Sequence, residues 1–166
     1  MEALQKKTTH NSILTALYRA DQKDRQTQPI ITPEITDRDR QRCAVVLKIL
    51  KDKKIITAVD NYKAALILHH SQQMKDYRIA RRLAKKSMEL GYPRAGWLFA
   101  ATTDRMLINS NKPQKYGTQF FKKNTKSEWV LYPYDKHTTD AERAKFNVPS
   151  IKDQLLQIEK LNSRDR

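Results

Sequence analysis

Apolar residues recur along this chain at helical spacing, in blocks separated by proline, glycine or short β-branched runs. Residues 11–26 predict a first helix, capped by Asn11 or Ser12, with Ile13, Leu14, Leu17 and Ala20 on one side. Residues 27–36, with Pro29 and Pro33 among β-branched neighbours, predict an extended linker. A second helix starts at Thr36 or Asp37 and buries Val45, Val46, Ile49 and Leu50. A third covers residues 60–73, where Tyr62, Ala65, Leu66 and His69 share a face. The fourth, 74–91, ends at Gly91, a left-handed C-terminal cap, and Pro93 sits in the first turn of the fifth, 93–110. The period then shortens. Residues 119–135 read as two short extended segments around a polar turn at Lys123–Ser127, held to the helices by Phe120, Phe121, Trp129 and Leu131. A short helix over 138–146, capped by Thr139 or Asp140, and a last one over 151–162, with Ile151, Leu155, Ile158 and Asn162 on one side, complete the chain.

The expected fold is mainly α, a compact domain of six to seven helices with a small two-stranded β-ribbon near the C-terminus. One domain spans residues 1–166, with 1–10 a flexible tail and 11–162 the folded core. Small residues at Ala80, Ala84, Ala95, Gly96, Ala100 and Ala101 give the fourth and fifth helices the texture of a helical hairpin. That texture resembles one unit of the Sel1/tetratricopeptide class, but with a single copy it reads as a local hairpin.

Composition narrows the function classes. No apolar run approaches the roughly 18–20 residues that span a bilayer, so no membrane partner is expected. The N-terminus lacks the apolar core of a secretory signal, and a cytoplasmic location follows as the default unless a leader was removed before residue 1. One cysteine, Cys43, excludes an internal disulfide and a cysteine-built zinc cage; in the run CAVVLKIL it reads as packing. A net charge of +15 admits a nucleic-acid partner, or an acidic protein. The basic residues are spread over most segments, and no sequence-reading nucleic-acid motif is present.

The densest polar stretch is Gln114, Tyr116, Gly117, Thr118 and Gln119, preceded by Asp104 and Arg105 near a helix end. Gly117, one of three glycines, calls for an unusual backbone conformation or a close approach. Asp104 falls on the buried face of its helix and needs a partner, whether His70, Tyr116 or Arg25; a structural ion pair explains it as well as catalysis does. His69 and His70 point about 100° apart on a helix, so only one can face a given site. One histidine and one aspartate fall short of the three convergent ligands a metal needs, although His69 could add one, and no metal is expected.

The order A-A-x-I-x-x-H ending at His70, then Asp104–Arg105, then P-Q-x-Y-G-T-Q over 113–119, a tryptophan segment and E-R-A-K-F-N-V-P-S over 142–150 resembles a bacterial family known as domain of unknown function 6624. Asp21, Gln22 and Arg25 are similar to that family's N-terminal segment, and the likeness covers roughly residues 14–155. His69 departs from it, standing where the family has glutamine. The resemblance implies a mostly helical fold and a shared polar site, with no reaction attached.

The resulting expectation is a small-molecule enzyme or ligand-binding protein with one polar pocket. His70 and Asp104 are its acid–base candidates. Arg25, Arg105, Gln114, Tyr116, Gly117, Thr118 and Gln119 hold a polar or anionic ligand. The alternative is a basic helical module for nucleic acid or an acidic protein, with the motif structural.

Overall fold

The computed structural model describes residues 9–27, 31–124 and 126–164. Most of the tail expected over 1–10, the linker residues 28–30 and position 125 of the ribbon turn lie outside them. The described residues form seven helices and a two-stranded antiparallel sheet near the C-terminus, a mainly α fold. None of the helices is long and apolar enough to cross a membrane. The chain divides into two compact units, Met1–Tyr92 and Pro93–Arg166, which are taken in turn.

The first unit holds helices α1 (Ser12–Thr27), α2 (Pro33–Lys51), α3 (Ala58–His69) and α4 (Met74–Glu89). Asn11 caps α1, its side chain accepting from Leu14 N at 2.9 Å. The second helix starts earlier than the two prolines suggest. Thr32 accepts from Ile35 N, and Pro33 occupies the first turn, where its missing N–H costs nothing. At α3, Thr57 and Asp60 form a capping box.

Helix α3 is buried almost all round and packs against the other three, with α4 its most extensive neighbour. Leu14, Ile35, Val46, Ile67, Leu68 and Ala80 supply the core. Helix α3 also stops sooner than its sequence pattern implies. His70 N and Ser71 N bond back to Ile67 O and Leu68 O, tightening the last turn. Ser71 Oγ then takes Gln73 N and donates to Asp76 Oδ2, which starts α4. Gly91 closes α4 in the left-handed region, φ 82°, with Gly91 N on Met88 O and Tyr92 N on Ser87 O, as the sequence predicts.

The second unit contains α5 (Ala95–Ile108), β1 (Phe120–Phe121), β2 (Val130–Leu131), α6 (Asp140–Ala144) and α7 (Ile151–Arg164). Pro93 precedes α5 rather than sitting in its first turn, and Arg94 is the cap residue. Gly96 lets the chain at Phe146 come close: a Cβ there would lie 3.1 Å from Phe146 O. Tyr116, Ala100 and Val148 form a small core with Phe146 packed on it.

The ribbon pairs Phe120 with Leu131 and Phe121 with Val130. Asn162 clamps it to α7, accepting from Trp129 N at 2.7 Å and donating to Trp129 O at 3.1 Å. Helix α7 keeps most of its expected inner face, with Ile158 buried and Ile151 and Asn162 half-buried, and departs from it at Leu155. Leu155 is exposed and Gln154 is buried beside Ile158, its amide donating to Tyr116 O and Pro149 O.

Candidate functional site

The Gln114–Gln119 segment folds around Asp104, which is fully buried on α5. Its Oδ1 accepts from Lys115 N and Tyr116 N, both at 2.8 Å, and its Oδ2 from Thr118 N at 2.9 Å and Thr118 Oγ1 at 2.8 Å. A chain can wrap a carboxylate this closely only if one residue reverses its course, and Gly117 does so at φ 82°. Both features expected of that glycine are present: an added Cβ would also lie 2.7 Å from Ile151 Cδ1. Burial raises the Asp104 carboxyl above its ordinary value, and the donors from Thr118, Tyr116 and Lys115 offset part of that rise.

The rest of the motif is knitted into the same turn. Gln114 is fully buried, donating to Gln119 O and Tyr132 O and accepting from Gln119 N. Arg105 donates to Gln119 Oε1 through Nε and NH2, Gln119 Nε2 to Thr118 Oγ1, and Thr118 Oγ1 to Asp104. Tyr116 puts its ring edge-on to Phe146, 5.2 Å between centroids. Its carbonyl receives Nε of Arg143, which is buried and was not singled out in the sequence. The residue types read as ligand-holding thus satisfy one another, and within this unit they fix a loop.

His70 belongs to the first unit, where it caps α3. Its Nδ1 lies 2.8 Å from Oδ1 of Asp21, a fully buried carboxylate on α1. Gln22 Nε2 donates to the other Asp21 oxygen, and Arg25 approaches Oδ1 at 3.1 Å. Burial by itself raises the Asp21 carboxyl, but the His70 hydrogen bond and the charges of His70 and Arg25 outweigh it. The net result lies below the ordinary value.

Behind this pair stands a network not read from the sequence. Arg25 makes a two-pronged bond to Asp39, at 3.2 and 2.8 Å, so the fork expected to hold a ligand faces a carboxylate. Arg42 joins Asp39 at 2.7 Å and Asp24 at 2.8 Å, and Arg38 bonds Asp24 through two nitrogens at 3.0 Å. The visible signal was an Asp–Arg pair at helical spacing on each helix, Asp21/Arg25 and Asp39/Arg42.

His70 and Asp39 open on a cleft of about 460 Å³ between α2 and the turn from α3 into α4. Thr36, Arg40 and Cys43 line one side, Ser71, Lys75 and Asp76 another. Asp76 is almost fully buried; Ser71 satisfies Oδ2, and Oδ1 has no hydrogen-bond partner among the described residues. Burial pushes the Cys43 thiol up to about 12, which suits a packed wall and not a nucleophile. His69 is buried beside His70, ring centroids 5.5 Å apart. Among the described residues no group of three or more His, Cys, Asp or Glu could hold a metal ion.

No protein-family model, curated protein or solved structure matches the chain. The family likeness therefore stands on its motif residues alone.

Proposed function

We propose that the protein takes a polar small molecule into the cleft beside His70, and that His70, oriented by Asp21, moves a proton on it. The observation that supports this most is the 2.8 Å contact between His70 Nδ1 and a carboxylate with no solvent exposure. A carboxylate there favours the tautomer with hydrogen on Nδ1, which makes Nε2 the accepting nitrogen, the arrangement a general base uses. Pairing with Arg25 keeps Asp21 ionised in its buried place, and Asp39 holds Arg25 in turn.

The cleft itself suits a ligand bearing charge or many hydrogen-bonding groups. Arg40 and Lys75 bring positive charge for an anionic group, and Ser71 and Thr36 bring hydroxyls. In this reading Asp104 is the anchor of the Arg105–Gln119 loop and not the proton-transfer partner. Binding without turnover uses the same groups, and whether the protein is an enzyme rests on the proton step.

The test is a thermal-shift screen of the parent against small polar metabolites, with sugar phosphates, amino acids and nucleosides as classes. At least one compound raises the melting temperature of the parent, and His70→Gln, folded by circular dichroism, loses that shift. A panel without hits, or hits that stabilise His70→Gln equally, rejects the reading.

A further inference from the structure

Helix α4 carries a second feature, separate from the proton chemistry of the cleft. Lys75, Arg78, Arg82, Lys85 and Lys86 are all exposed on it. At 100° per residue they fall within an arc of about 100°, and Arg81 lies just beyond its edge. The opposite face, with Tyr77, Ala80, Leu83 and Ala84, is buried. The one exposed carboxylate that α4 itself adds to this arc is Glu89 at its far end, 3.8 Å from Lys85. Lys75, Arg78, Arg82 and Lys86 have no ion pair among the described residues. Arg25, Arg38 and Arg42 of the same unit are each matched by aspartates. Those three arginine charges are balanced by aspartates, whereas four of the five basic residues in this arc have no such partner among the described residues.

We infer that the outer face of α4 is a docking surface for the phosphate backbone of a nucleic acid, bound without regard to sequence. From Lys75 to Lys86 the strip runs about 16 Å at ~1.5 Å per residue. That length follows several phosphates of one strand, which are spaced ~3.4 Å along the duplex axis. Arginine forks and lysine ammoniums both suit phosphate oxygens. The arc presents no asparagine, glutamine or aromatic side chain, the groups that read or stack on bases, so recognition stops at the backbone. An anionic membrane fits less well: an interfacial helix sinks an apolar face into the lipid, and the apolar face of α4 is already buried in the protein.

The experiment is fluorescence anisotropy of the whole protein with labelled random-sequence duplex DNA, and with single-stranded RNA, across a salt series. Three proteins are compared: the parent, an Arg78→Gln/Arg82→Gln/Lys85→Gln variant, and a Lys48→Gln/Lys152→Gln/Lys160→Gln variant that removes the same charge from exposed sites elsewhere. The parent binds in the micromolar range typical of backbone recognition, with affinity falling steeply in salt. The α4 variant binds at least about tenfold more weakly, and its slope of log affinity against log salt is shallower by about 0.9 for each duplex phosphate that is no longer neutralised. The control variant stays within about threefold of the parent. No binding by the parent, equal weakening in both variants, or tighter association with phosphatidylserine vesicles than with either nucleic acid overturns the proposal.

Discussion

Replacing Gly117 by alanine separates two reasons for a glycine at one position. The residue sits at φ 82°, where a side chain costs about 1–2 kcal/mol against the left-handed backbone. The new methyl would also lie 2.7 Å from Ile151 Cδ1 and 3.3 Å from Gln154 Nε2. The first contact is below any distance a carbon normally tolerates, but Cδ1 is the end of a side chain that can rotate. A forced, off-rotamer isoleucine adds about 0.5–1.5 kcal/mol. The expected total is therefore about 1.5–3.5 kcal/mol, seen as a lower urea midpoint at unchanged slope.

Ile151→Val deletes the clashing atom, so a double-mutant cycle divides the cost. The steric share disappears in Gly117→Ala/Ile151→Val, while the backbone share of about 1–2 kcal/mol remains. A Gly117→Ala protein within about 0.5 kcal/mol of the parent would refute both parts, since neither the dihedral nor the contact would then be felt.

Thr118→Val removes the hydroxyl that donates to Asp104 and accepts from Gln119, and should cost about 1.5–3 kcal/mol by urea unfolding, with Thr118→Ser close to the parent. Asp104→Asn turns an amide towards backbone donors and leaves at least one of them unsatisfied, a loss of about 1–3 kcal/mol. Gly91→Ala, at φ 82° with nothing within 4 Å of the new Cβ, should cost only the backbone strain, about 1 kcal/mol. Asp21 lies below its ordinary value when folded, so it contributes stability that is present above about pH 4 and lost as pH falls through its folded value. Unfolding midpoints taken from neutral pH downward should therefore drop more steeply in the parent than in Asp21→Asn, and parallel curves would contradict this.

Helices were legible wherever apolar spacing met a capping residue, as at Asn11, Thr139 and Gly91, because both signals are local. Proline misled at Pro33: the ring that breaks a helix interior also starts one, and only the Thr32 cap tells the cases apart. Gly117 was readable as a special backbone position because glycine is so rare in this chain. Roles within the polar cluster were harder. Asp104 and Thr118 look like ligand groups in a string of letters, and only three dimensions show them bonded to each other. The contact of His70 with Asp21 joins residues 49 positions apart on different helices, and local spacing carries no such pairing. Leu155 was placed inside because it is apolar, whereas Gln154 takes the buried place, where its amide donates to the carbonyls of Tyr116 and Pro149.

The central claim is that His70 faces a working cleft, and nitrogen-15 NMR of its imidazole ring tests it most directly. His70 is assigned by comparison with His70→Gln, and the spectrum is followed while the best compound from the thermal-shift screen is added to saturation. The account predicts that the His70 ring resonances move in step with binding, while those of exposed His137 stay in place. Saturated binding that leaves the His70 ring unmoved would contradict it.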